Sequence, residues 1–130
     1  MRTAVHIHDL SFATFISETT IQTRIKELAS QLDTDYTGKD PIFLAVLNGA
    51  FMFASDLFKQ LQCKPELTFV KVSSYVGTQS SGRVDELIGL QTALKDRHVV
   101  IIEDILDTGV TMDKIFTLLQ TEQPASMAVC

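Results

Sequence analysis

Apolar positions along this chain recur with two different periods, and each change of period marks a new element. In "ISETTIQTRIKELASQLDTDYTGKDP" the residues Ile21, Ile25, Leu28, Ala29 and Leu32 fall on one helical stripe. Ser17 stands where a cap belongs, and Gly38 and Pro41 close the segment. "IFLAVL", Ile42 to Leu47, is a continuous apolar run, the pattern of a strand buried on both faces. The turn "NGA" leads to Phe51, Ala54, Phe58 and Leu61, again at helical spacing. "ELTFVKVSSY" and "HVVII" are rich in β-branched residues and predict two more strands. Met112, Ile115, Phe116 and Leu119 then predict a helix. Between those two strands, the polar and glycine-containing "VGTQSSGRVDE" predicts a long loop of the functional or mobile kind, with "LIGLQT" a short strand returning from it. Strand and helix alternate, so the expected fold class is α/β, a mostly parallel twisted sheet flanked by helices.

Composition narrows this without changing it. The 130 residues fit one domain, 1–130, and a hydrophobic share of 45% is ample for a core. No apolar run approaches the ~20 residues of a membrane span, and "MRTAVHIHDL" lacks the apolar segment of a signal peptide. A cytoplasmic protein with no membrane partner is expected. The formal charge of −5, with no stripe of Lys or Arg, argues against a nucleic-acid partner. Cys63 and Cys130 read as ordinary reduced thiols, and His6, His8 and His98 have no metal-site spacing. The chain stops at "ASMAVC", an apolar run with no turn, cap or polar tail, so a C-terminally truncated domain is expected.

The chemistry sits after "HVVII". That strand ends in Glu103 and Asp104, and "EDILDTGVT" supplies a third acid, Asp107, before Thr108, Gly109, Val110 and Thr111. In open α/β sheets ligands bind just beyond the carboxyl ends of the strands. Amides from Asp107 to Thr111 could curl into a nest at a helix N-terminus, where an anion is favoured. The Gly-Lys-Ser/Thr of a Walker loop is absent. Acids beside a phosphate repel it, unless they face another part of the ligand. Carboxylates suit sugar hydroxyls and a hard cation such as Mg²⁺, so ribose 5-phosphate meets both demands. Asp107 is then placed to accept a proton or steady positive charge near C1. Acids between a strand and a helix serve equally well as plain caps, and the pattern alone does not choose.

"VVIIEDILDTGVT" resembles the phosphoribosyl-pyrophosphate signature of purine phosphoribosyltransferases, and Asp107 is similar to the hypoxanthine-guanine branch. "LNGAFMFASDL" is similar to that family's pyrophosphate loop and helix, and "VSSYVGTQSSG" to its closing lid. The resemblance implies a type I phosphoribosyltransferase fold. It also implies purine salvage, with the phosphoribosyl group passing to hypoxanthine or guanine to give IMP or GMP and pyrophosphate. It gives Glu103 and Asp104 the ribose hydroxyls and Mg²⁺, Asp107 the general base, and 107–111 the 5′-phosphate, within a nucleotide-binding stretch that includes Ile105 and Leu106. Asn48 and Gly49 would offer amides to pyrophosphate across a cis peptide at Leu47–Asn48. Ser74 and Tyr75 would belong to a lid spanning about 73–86. Partners implied are phosphoribosyl pyrophosphate, a 6-oxopurine base and further copies of the chain, as a homodimer or homotetramer.

There are two departures from the family pattern. Asn48 stands where many members carry Lys, which removes a positive charge. The family's base-reading residues follow the strand that starts near Ser126, and none is present. These 130 residues alone are therefore expected to bind phosphoribosyl pyrophosphate or a 5′-phosphate weakly and to transfer nothing. Two rival readings remain. A same-fold regulator binding nucleotide and RNA would show RNA affinity falling steeply with salt. A receiver-like signalling domain with an acidic Mg²⁺ pocket would take a phosphoryl group on Asp.

Overall fold

Two apolar strands side by side set the architecture of the chain. The computed structural model describes residues 4–76 and 83–130, and only the backbone of 73–76 and 83–87. An exposed hairpin, β1 (Val5–Ile7) and β2 (Leu10–Phe12), comes first. There follow α1 (Glu18–Tyr36), β3 (Ile42–Val46), α2 (Phe51–Phe58), β4 (Glu66–Val76), β5 (Arg83–Ile88), β6 (His98–Ile102), α3 (Val110–Gln120) and β7 (Ser126–Val129). The sheet runs β5-β4-β3-β6-β7, with β4, β3, β6 and β7 parallel and β5 antiparallel at the edge.

All five residues of β3 are buried, as a strand covered on both faces requires. Phe43 and Ala45, with Val100 and Ile102 of β6, face α1 and α2. Ile42, Leu44 and Val46, with Val99 and Ile101, face α3. Strand alternation thus divides one run of apolar residues between two cores. Ser17 caps α1, its hydroxyl accepting the Thr20 amide at 3.1 Å. At the amino end of the sheet Arg97 donates to the Asp40 carbonyl at 2.9 Å and pairs with Glu66 at 3.5 Å, which leaves the carboxyl end for chemistry.

Several expectations need correction. The loop expected over 73–86 is largely sheet, because Ser73 to Val76 pair with Arg83 to Glu86. Residues 77–82 of the expected lid lie outside the described residues, as do the Ser74 and Tyr75 side chains. The returning strand expected at "LIGLQT" lies earlier, at Arg83–Ile88, where "RVDELI" is half polar, as befits an edge strand. Ile21 and Phe51, assigned to buried stripes, are 46% and 56% exposed, whereas Leu57 is fully buried. The hairpin had no counterpart among the expected elements. Cys63 and Cys130 are free, and burial, followed by the neighbouring Asp33, pushes the Cys63 thiol up to about 11. His6 and His98 each share a hydrogen bond with a serine, Ser11 and Ser126.

Asp33 joins α1 to the chain beyond α2. Its carboxylate accepts the Gln62 amide at 2.9 Å and the Cys63 amide at 2.8 Å. Asp33→Ala strands two donors, and hydrogen bonds to a charged group contribute about 1.5–3 kcal/mol. Urea denaturation should show a lower midpoint and an unchanged slope. An unmoved midpoint would remove Asp33 from the packing of α1.

Candidate active site

β3 and β6 are parallel neighbours, so the segments that leave their carboxyl ends converge. After β3 the turn is fixed by Leu47 donating to the Val70 carbonyl at 2.7 Å and Ala50 to the Val46 carbonyl at 3.2 Å. The Leu47–Asn48 peptide is cis. The Asn48 and Gly49 amides have no acceptor among the described residues, whereas the Asn48 carbonyl accepts the Phe51 amide at 3.3 Å. Gly49 lies against the Asp104 carboxylate: a Cβ on Gly49 would stand 2.7 Å from both Cγ and Oδ1. With the Asp104 carboxylate in this position, only glycine fits.

After β6, Gly109 takes a left-handed conformation, φ 82°, at the N-cap of α3. The helix's first main-chain amide bond along the chain is Asp113 to the Gly109 carbonyl at 2.9 Å. The Thr111 and Met112 amides precede it and have no intrahelical acceptor, as helix starts dictate. Those of Thr108 and Gly109 also lack an acceptor among the described residues, and Val110 makes a long 3.4 Å contact to the Thr108 hydroxyl. Free amides at a helix start favour an anion. They surround a hollow of about 110 Å³ lined by Glu103, Ile105, Leu106, Asp107, Thr108, Gly109, Thr111 and Met112. At roughly 30 Å³ per water, that is room for one phosphate-sized group.

A second cavity of about 360 Å³ adjoins the first, sharing Glu103 and Thr111 with it and adding Gly49, Lys71 and Lys114. Of the stretch 103–111, only Asp104 and Val110 stay out of the smaller hollow. Asp104 meets Gly49 instead, and Val110 is 55% exposed. Met112 was expected only on the apolar stripe of a helix, and neither Lys71 nor Lys114 was singled out from the sequence. A larger groove, about 710 Å³, lies elsewhere, between α1 and α2 around Ile25, Leu28 and Phe53. It is mainly apolar and contains none of this chemistry.

Glu103 is half-buried, and its Oε1 accepts the Asp104 amide at 3.0 Å. Burial first, then hydrogen bonding to the Asp104 side chain and its like charge, raise the Glu103 carboxyl above the ordinary range. Two adjacent oxygen donors short of positive charge fit a hard cation. Among the described residues no group of three or more metal-ligating side chains occurs. The acid pair by itself suits Mg²⁺, which typically uses one or two carboxylates together with water and substrate oxygens.

A phosphoribosyl transferase domain model matches residues 17–130. The chain belongs to the phosphoribosyltransferase family. The hypoxanthine-guanine-xanthine phosphoribosyltransferase of Tritrichomonas foetus is 44% identical over 110 residues, 85% of this chain and 60% of that protein. The hypoxanthine-guanine phosphoribosyltransferase of Staphylococcus aureus is 40% identical over 115 residues, 88% of this chain and 64% of its own length. A crystal structure of a hypoxanthine phosphoribosyltransferase from Staphylococcus aureus superposes with a TM-score of 0.78 at 38% identity, over 88% of this chain and 63% of that one. The fold is therefore the type I phosphoribosyltransferase fold. The chain spans about 60–64% of these relatives' lengths. No helix among the described residues is long and apolar enough to cross a membrane.

Proposed function

We propose that this phosphoribosyltransferase chain serves purine salvage, passing the phosphoribosyl group of phosphoribosyl pyrophosphate to hypoxanthine or guanine. The products are IMP or GMP and pyrophosphate. The observation that carries the reading is the placement of a free-amide hollow beside an acid pair, with Gly49 against Asp104. The 5′-phosphate would take the amides and hydroxyls of 107–111, and the ribose hydroxyls Glu103 and Asp104. As the bond from C1 to the pyrophosphate oxygen breaks and one to the purine nitrogen forms, the imidazole proton would pass to Asp107. Asp107 lines the hollow and is exposed to an incoming base. Glu103 and Asp104 would hold Mg²⁺, which offsets the charge of the leaving group. Asn48 and Gly49 would turn their amides to the diphosphate, and Ser74 and Tyr75 would serve the lid. The relatives' names support the choice of base, and the family resemblance a cytoplasmic dimer or tetramer.

Formation of nucleotide from each base, followed in the natural gene product, tests the reading. Turnover requiring both phosphoribosyl pyrophosphate and Mg²⁺ is expected. Affinity for RNA without turnover would favour the regulator instead.

The acid pair has its own test. Glu103→Gln with Asp104→Asn should weaken Mg²⁺-dependent binding of phosphoribosyl pyrophosphate more than binding of free phosphate, by calorimetry. Equal losses would reduce the pair to a structural role. The pH dependence has a definite sign. A raised Glu103 carboxyl favours the native state below the ordinary carboxylate pKa, and that contribution is lost as pH rises through the folded value. Mg²⁺ competes with that proton, so affinity should fall as pH drops into this range, with proton release on binding.

A further inference from the structure

The larger hollow holds two cations that the proposed mechanism has not used. It opens at the carboxyl end of β3, beside the middle of β4, and Leu47, Gly49, Glu103, Thr111, Lys71 and Lys114 line it. Val70 pairs with Val46, the last residue of β3, so Lys71 follows one position beyond the end of that strand. Lys114 comes from the opposite side, in the second turn of α3. Lys71 is exposed and Lys114 half-buried. Glu103, Asp104 and Asp107 make this end of the sheet acidic, and Asn48 brings no charge. A diphosphate settling here would meet carboxylates at short range, where like charges cost most. Two ammonium groups on separate elements, both lining the same hollow beside the free Gly49 amide, reverse that balance locally.

We propose that Lys71 and Lys114 form the cationic wall of this hollow and hold the diphosphate arm of the sugar substrate. The inference rests on the phosphoribosyl-pyrophosphate reading above and deepens it: these lysines discriminate diphosphate ligands from monophosphates, which seat in the smaller hollow alone. Calorimetry with Mg²⁺-pyrophosphate and with ribose 5-phosphate separates the two. Lys71→Gln and Lys114→Gln should each weaken Mg²⁺-pyrophosphate about fivefold, as for partly exposed ion pairs, and more together. Their affinity for ribose 5-phosphate should stay near the parent's. The parent's preference for pyrophosphate should shrink with added salt more than the double variant's does. Lys71→Arg should retain binding. Lys95→Gln, an exposed lysine near the amino end of β6, should change neither ligand. Unchanged pyrophosphate affinity in the double variant, or equal losses for both ligands, overturns the inference. A parent that binds ribose 5-phosphate but not Mg²⁺-pyrophosphate overturns it too and leaves the phosphate nest standing. A parent that binds neither removes both.

Discussion

Asp107→Asn lowers the turnover of the natural gene product by about 10²–10⁴-fold, the usual effect of losing a general base. Asparagine keeps the shape of the side chain and cannot take up the imidazole proton. Asp107 lines the smaller hollow at the start of the amide run, and the amides themselves are main-chain groups that the substitution leaves in place. Affinity for Mg²⁺-phosphoribosyl pyrophosphate should therefore hold while kcat falls. Rapid-quench kinetics should place the loss in the chemical step. An unchanged kcat with chemistry limiting would remove Asp107 from proton transfer.

Gly49→Ala should cost about 10²-fold in kcat/KM for phosphoribosyl pyrophosphate, the scale of a misplacement near 1 Å. The new methyl would stand 2.7 Å from the Asp104 Cγ and Oδ1, so the carboxylate must move. That shifts a candidate Mg²⁺ ligand and crowds the amides on the β3 turn at the same time. A double-mutant cycle with Asp104→Ala separates the two effects. If the clash acts through Asp104, Gly49→Ala costs little more once Asp104 is already shortened. Full additivity would assign the damage to the turn.

The sequence made the centre of this fold legible and its edges much less so. β3 and β6 are buried on both faces, so both were readable as unbroken apolar runs. Ser17 announced the start of α1 through local chemistry. Periodicity names a stripe but not what covers it, and so Ile21 and Phe51 were placed inside while they stand largely exposed. β5 and the first hairpin are short or half polar and depend on pairing, which local pattern does not encode. In the site, the stretch 103–111 was readable because one turn carries nearly all of it. The Gly49–Asp104 approach joins turns after two different strands. Lys71 and Lys114 line their hollow only because the end of β3, the middle of β4 and the start of α3 meet there. Sequence spacing has no access to such meetings.

The central claim is that the amides leading into α3 seat a phosphate while the acids before them hold the sugar. Amide chemical shifts in a ¹H–¹⁵N titration test this most directly. Ribose 5-phosphate should move the Thr108, Gly109, Thr111 and Met112 amides together with those of Glu103 and Asp104. Inorganic phosphate should move mainly the first four. Shifts confined to other surfaces, such as the groove between α1 and α2, would contradict it.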